Sequence, residues 1–166
     1  MCLFRSFYPD EYYDSAYEID YKKLYDEGFR AVIYDIDNTL VPQDAPADER
    51  AHRLMDDLRK TGWQVMLLSN NKPPRVEMFV EGMDIDYIAE AKKPLKDSYL
   101  KAMEKMGTTV ENTIFIGDQL FTDILGANKA GIKTYLVKPI DPKEEFQIVL
   151  KRRLEWIVLL FRKKKK

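Results

Sequence analysis

Two aspartates one residue apart, Asp35 and Asp37, close the apolar run AVIYDI in the stretch YDIDNTLVP. Carboxylates carried to the end of a core strand cost several kcal/mol unless a cation answers them. A second pair, Asp118 and Asp123, lies in GDQLFTD, again directly after an apolar run. Four acids brought to one sheet edge would repel, and a divalent metal is the expected resolution. Mg2+ prefers oxygen ligands and commonly combines one or two carboxylates with phosphate and water. Gly117, ahead of Asp118, leaves room for a close approach to the backbone. Ser69-Asn70-Asn71 ends another apolar run just before Pro73-Pro74, which suit a first helical turn. A hydroxyl beside the N–H groups of a helix start suits an anion. Lys93, held extended by Pro94, can aim an ammonium at the same place. Taken singly, each acid also suits a helix cap or turn, and Ser69 a plain N-cap.

These residues need a scaffold that brings them together. Five short apolar runs, at 31–36, 63–69, 86–90, 113–118 and 134–138, read as strands. Their nearly continuous apolar character predicts parallel strands buried on both faces. Helical patterns alternate with them at 46–60, 73–81, 95–106 and 121–130, the last two ending before Gly107 and Gly131. The order predicts an α/β fold: a three-layer, Rossmann-like arrangement with a central parallel sheet of about five strands. Ligands in such sheets bind at the carboxyl ends of the strands, where Asp35, Asp37, Ser69, Asn70 and Asp118 all stand. Residues 1–29 read as an irregular arm with a short helix near 20–27, 30–140 as the core, and 141–166 as a C-terminal helix with a basic tail.

Composition narrows the function. The 166 residues suit one compact domain. The single cysteine, Cys2, forms no internal disulfide and supplies no cysteine zinc site, and the single histidine, His52, has no partner for a relay. With no secretory pattern at the start of the chain, a cytoplasmic location is expected. Residues 150–166 carry eight Lys or Arg against one Glu, while the rest of the chain is acidic. A helical apolar stripe runs from Phe146 to Phe161 and overlaps this segment. Such a helix suits peripheral contact with anionic lipid at the inner membrane face, and suits equally well packing on the domain or on a second subunit. The acidic body argues against a nucleic-acid partner, and no oligomeric state is specified.

DIDNTL, Ser69, Lys93 and GDQLFTD, in that order over residues 35–123, resemble the four signatures of the haloacid dehalogenase-like superfamily of aspartyl phosphotransferases. The resemblance implies a Mg2+-dependent phosphatase. Asp35 would be the nucleophile that forms an aspartyl-phosphate. Asp37 would protonate the leaving oxygen and then activate water. Asp35, the backbone carbonyl of Asp37 and Asp118 would hold Mg2+, with Asp123 steadying it. Ser69 would bind a phosphoryl oxygen with Asn70 alongside, and Lys93 would orient Asp35 and neutralise charge. Phosphoryl transfer calls for this equipment, since it depends on in-line positioning and on countering charge at the equatorial oxygens.

The spacings from Thr39 to Trp63 and from Ser69 to Lys93 leave no room for a cap domain. An open site suits a large or surface-held phosphorylated substrate. DIDNTLVP, LLSNN, KKP and GDQLFTDI look most like the IIIA-type branch, which includes phosphatidylglycerophosphate phosphatases. That phospholipid is the first expected substrate. A nucleotide, sugar or phosphoprotein is the alternative, and a binding module without catalysis is the competing class.

Overall fold

The computed structural model describes residues 5–141. Ten regular elements follow in chain order: β1 (Glu11–Tyr13), α1 (Tyr21–Asp26), β2 (Ala31–Tyr34), α2 (Glu49–Thr61), β3 (Gln64–Leu68), α3 (Pro73–Val80), β4 (Asp86–Ile88), α4 (Asp97–Met106), β5 (Thr113–Gly117) and, after a π-helical turn at Leu120–Ile124, α5 (Leu125–Ala130). β6 (Lys133–Val137) completes a six-stranded sheet of order β1-β6-β5-β2-β3-β4, parallel throughout. The expected three-layer α/β fold is the observed one. The C-terminal stripe and basic tail lie outside the described residues.

Burial explains the strand sequences. In β2 every residue is buried, with Val32 and Tyr34 in one core and Ile33 in the other. The first core joins them to Leu67, Ile114 and Ile116 under Met55, Leu58, Val76 and Phe79 of α2 and α3. The second joins Ile33, Met66, Leu68 and Phe115 to Tyr99, Ala102 and Met103 of α4 and Ala127 of α5. A strand covered on both faces gains from apolar residues at every position, so period-two alternation vanishes.

Helix ends obey local chemistry. Asp48 caps α2 by accepting from the Ala51 N–H at 2.9 Å, which sets its start after Pro46 rather than at it. Gly62 ends it in the left-handed region at φ 100°. α4 starts at Asp97, later than the expected residue 95, because Lys92 to Lys96 are spent on a loop that serves the site.

The N-terminal arm is more ordered than its sequence suggests. Glu11–Tyr13 adds a sixth strand at the sheet edge, paired with β6. Asp10 secures it: its Oδ2 accepts from the Thr134 N–H at 2.8 Å and from Thr134 Oγ1 at 3.1 Å. Tyr13 stacks on Tyr135 with centroids 5.8 Å apart, and the Tyr17 hydroxyl donates to the Leu40 carbonyl at 2.6 Å. The arm thus covers an edge of apolar strand that would otherwise be open for pairing. Asp10→Ala leaves the buried Thr134 donors without that acceptor and is expected to cost about 1–3 kcal/mol. Urea denaturation checks this; an unchanged midpoint would show that Asp10 does not anchor the arm.

Candidate active site

β2 lies at the centre of the order β5-β2-β3, so the three tips that carry acids and hydroxyl are neighbours. The Asp35 N–H donates to the Ile116 carbonyl at 3.0 Å, which carries the β2–β5 pairing one residue past the strand. Asp35, Asp118 and Asp123 are all buried, and one carboxylate oxygen from each lies within 4.8 Å of the others. Thr39 bridges the group, donating to Asp118 Oδ1 at 3.2 Å with Asp35 Oδ2 3.5 Å away.

Among the described residues, one buried ammonium faces this cluster. Lys93 Nζ lies 2.6 Å from Asp35 Oδ1 and 2.6 Å from Asp123 Oδ1. Its loop is folded back over β3 to reach them. The Glu90 N–H donates to the Asn71 carbonyl at 2.8 Å and the Ala91 N–H to the Ser69 carbonyl at 3.0 Å. Glu90 and Lys92 both take positive φ there. Asn70 clamps the Lys93 backbone from both sides: its Oδ1 accepts from the N–H at 2.7 Å and its Nδ2 donates to the carbonyl at 3.3 Å. The Lys93–Pro94 peptide is cis. Ser69 is buried, and its Oγ accepts from the Asn71 N–H at 3.1 Å. α3 is capped instead by Lys72, with no side-chain bond.

Asp123 reaches the cluster through the π turn. The Asp123 and Ile124 N–H groups both donate to the Gln119 carbonyl, at 3.0 and 3.2 Å, so the turn holds one residue more than an α-turn. The Tyr99 hydroxyl, at 3.0 Å from the Thr122 carbonyl and 3.2 Å from that of Asp123, pins it from α4. The close approach foreseen at Gly117 is made by Asp123 itself: a Cβ on Gly117 would lie 2.6 Å from Asp123 Oδ2 and 2.7 Å from its Cγ.

Asp37 goes elsewhere. Its carboxylate is outside the three-acid cluster and is held beside α3. Oδ1 accepts from the Asp44 N–H at 2.8 Å and from Arg75 Nη2 at 2.7 Å; Oδ2 accepts from Asn71 Nδ2 at 2.5 Å. Thr39, Asn71 and Arg75 had not been singled out as site residues. Thr39 lies inside the first signature, and Asn71 beside Ser69, so both had a local signal; Arg75 had none.

Electrostatics follow from this packing. Burial pushes the Asp35 carboxyl well above the usual carboxylate range; Lys93 opposes that rise, while Asp123 and Asp118 add to it. Burial disfavours the Lys93 ammonium, but Asp123 and Asp35 outweigh it and raise its pKa. Lys93 thus stays charged across the working range. Among the described residues three carboxylates meet one buried ammonium, and the all-oxygen donor set fits a hard divalent cation such as Mg2+.

Comparison with known proteins agrees with the geometry. Residues 11–131 match the family model for haloacid dehalogenase-like hydrolases. The chain is 35% identical to "Probable phosphatase YqeG" of Bacillus subtilis, over 98% of this chain and 95% of that protein. It is 27% identical to phosphatidylglycerophosphate phosphatase 1 of Arabidopsis thaliana, over 85% of this chain but 44% of that longer protein. An uncharacterised Listeria monocytogenes protein of known structure shares the fold, with a TM-score of 0.55 at 16% identity over 81% of this chain and 99% of its own. The chain belongs to the haloacid dehalogenase-like hydrolases. The expectation of a phosphatase of that family is met.

Two outcomes test the site. Gly117→Ala must displace the Asp123 carboxylate and is expected to lower phosphatase activity by at least about tenfold while the fold persists, since misplacing a positioned group by about 1 Å can cost 10²-fold. Activity at the parent level would show that the Gly117–Asp123 fit is dispensable. The second concerns pH. A pKa raised by folding means that the folded protein holds the Asp35 proton more tightly, so this contribution favours the fold below the raised value and is lost as pH rises through it. Protons therefore compete with a divalent cation for the cluster. The gain in melting temperature on adding millimolar Mg2+ is expected to grow from acid to neutral pH and to vanish in Asp118→Ala. A gain independent of pH, or one kept by that variant, would place the metal elsewhere.

Proposed function

We propose that this chain is a Mg2+-dependent phosphomonoester hydrolase working through an aspartyl-phosphate on Asp35. The observation that carries this reading is the buried Asp35 carboxylate at a strand tip, 2.6 Å from the Lys93 ammonium and beside Asp118 and Asp123. Asp35, Asp118 and the Asp37 backbone carbonyl would hold Mg2+, with Asp123 close by. Bound there, the ion would offset charge on the phosphoryl oxygens and spare the anionic nucleophile their repulsion.

Two displacements follow. An Asp35 oxygen forms a bond to phosphorus as the bond to the leaving oxygen breaks. Asp37 gives that oxygen its proton. Water then attacks the same phosphorus, Asp37 takes a proton from it, and the bond to Asp35 breaks to release inorganic phosphate. Lys93 holds Asp35 in line and counters charge throughout. Ser69 already accepts at Oγ, so its hydroxyl hydrogen is the group it can offer a phosphoryl oxygen. Asn70 serves less as a phosphate contact than as the clamp on Lys93.

The substrate we favour is phosphatidylglycerophosphate. Support comes from the likeness to the plant enzyme of that name and from an open site. Only α2 separates the Asp37 loop from β3, and only α3 and β4 lie between Ser69 and Lys93. A cytoplasmic enzyme in peripheral contact with anionic lipid is the matching arrangement. No helix among the described residues is long and apolar enough to cross a membrane. The C-terminal segment expected to make the contact lies outside those residues.

Phosphate release from phosphatidylglycerophosphate in vesicles, and from soluble nucleotide, sugar and phosphopeptide esters, tests this reading with and without Mg2+. The expected result is Mg2+-dependent release that is faster on the lipid and abolished in Asp35→Asn. Faster release from a soluble ester would remove the lipid assignment. Undiminished release by the variant would remove Asp35 as nucleophile.

A further inference from the structure

We propose that Arg75 is the positioning residue for Asp37, holding its carboxylate in the orientation from which it moves protons. This rests on Asp37 being the acid and base of the reaction proposed above.

Arg75 and Asp37 form an ion pair at 2.7 Å, and each side chain is only 10% exposed. Arg75 is otherwise poorly served. Its Nε and Nη1 are buried with no hydrogen-bond partner among the described residues, and the nearest other charge, Asp44 Oδ1, is 3.7 Å from Nε. A buried guanidinium with most of its donors unmet is a weak stabilising device, since desolvation of the ion and of each orphan donor offsets what one bond returns. Its placement is better explained by the one bond that it does make.

That bond has a definite geometric effect. The Arg75 and Asp44 donors both fall on Oδ1 of Asp37 and occupy its two acceptor directions. Among the described residues Oδ2 receives the Asn71 amide alone, which leaves one of its acceptor directions open. Oδ2 is therefore the oxygen that exchanges protons with the leaving group and with water. Without Arg75, the carboxylate keeps two donors on different oxygens and loses its one charged partner among the described residues. The rigid planar fork of arginine suits this task better than a mobile ammonium does. α3 supplies the rigidity: Val76 and Phe79, on the same helix, are fully buried in the first core.

The test reads leaving-group dependence. An alkyl oxygen needs a proton as it departs, whereas p-nitrophenolate departs without one. Value for value, kcat/KM reports the steps up to transfer onto Asp35. For the alkyl ester that the parent hydrolyses fastest, Arg75→Ala is expected to lose about 10- to 100-fold in kcat/KM, part of the 10²–10⁴ that general acid catalysis supplies. For p-nitrophenyl phosphate the loss is expected to stay within about threefold, because that step leans little on the acid. In an Asp37→Ala background the same change is expected to cost nothing further, since residues acting as one unit are not additive. Arg75→Lys recovers part of the alkyl activity, and it carries the comparison with Arg75→Gln if the alanine variant does not fold.

Equal losses on both esters, or losses that add to those of Asp37→Ala, would overturn the assignment and leave Arg75 as packing alone. If instead Asp37→Ala itself leaves the alkyl reaction untouched, or the parent releases phosphate from no ester, the underlying reaction is wrong and this role falls with it.

Discussion

Everything at this site depends on three buried carboxylates held within 4.8 Å of one another, with a single buried ammonium, Lys93, against them. Like charges so close in a low-dielectric setting do not stabilise a fold. Burial is the main reason the Asp35 carboxyl is raised; Lys93 opposes that rise, while Asp123 and Asp118 add to it. The arrangement persists because the rest of the domain over-determines it. The sheet carries an apolar core on each face, and these cores anchor the strands whose tips hold the cluster.

The supports differ in kind. Parallel register puts Asp35 and Asp118 at adjacent tips, with Ile33 opposite Phe115 and Tyr34 opposite Ile116 just before them. The missing side chain of Gly117 leaves the volume that Asp123 fills. The π turn and the Tyr99 hydroxyl fix where Asp123 points. Asn70 locks the backbone that presents Lys93. Each is a different physical device, and all act on the same few atoms. Removing the ammonium would take from Asp35 and Asp123 the cation that faces both, so the Asn70 clamp serves stability as well as chemistry.

Much of this was legible in the sequence because the signals are local. Apolar runs ending in Asp35, Ser69 and Asp118 mark three strands and bring those residues to one sheet edge, and Gly107 and Gly131, expected to end helices, do so in the left-handed region. What was not legible depends on tertiary contact. β1 is three residues long with two exposed positions, so no apolar pattern announces it; its order comes from Asp10, Tyr13 and Tyr17 meeting partners far along the chain. Arg75 looks like any solvated helical arginine until α3 is docked and its guanidinium is seen against Asp37. The role of Asn70 was likewise hidden, because its partner Lys93 is 23 residues away.

The two aspartates of DID would share one face of a regular strand, as residues two apart do. They do not, because β2 stops at Tyr34. The chain then closes a tight loop, with the Asn38 N–H donating to the Val41 carbonyl at 2.7 Å and Asn38 itself at φ 61°, a conformation that asparagine tolerates. That turn sends Asp35 into the carboxylate cluster and Asp37 toward α3. Had both remained on one face, the second carboxylate would have added a fourth acid to a cluster of three. Separated, each meets a different set of donors: Lys93 for Asp35, and Arg75, Asn71 and the Asp44 N–H for Asp37. Unlike surroundings allow like groups to do unlike work. The different surroundings of the two acids are therefore a consequence of where the strand ends.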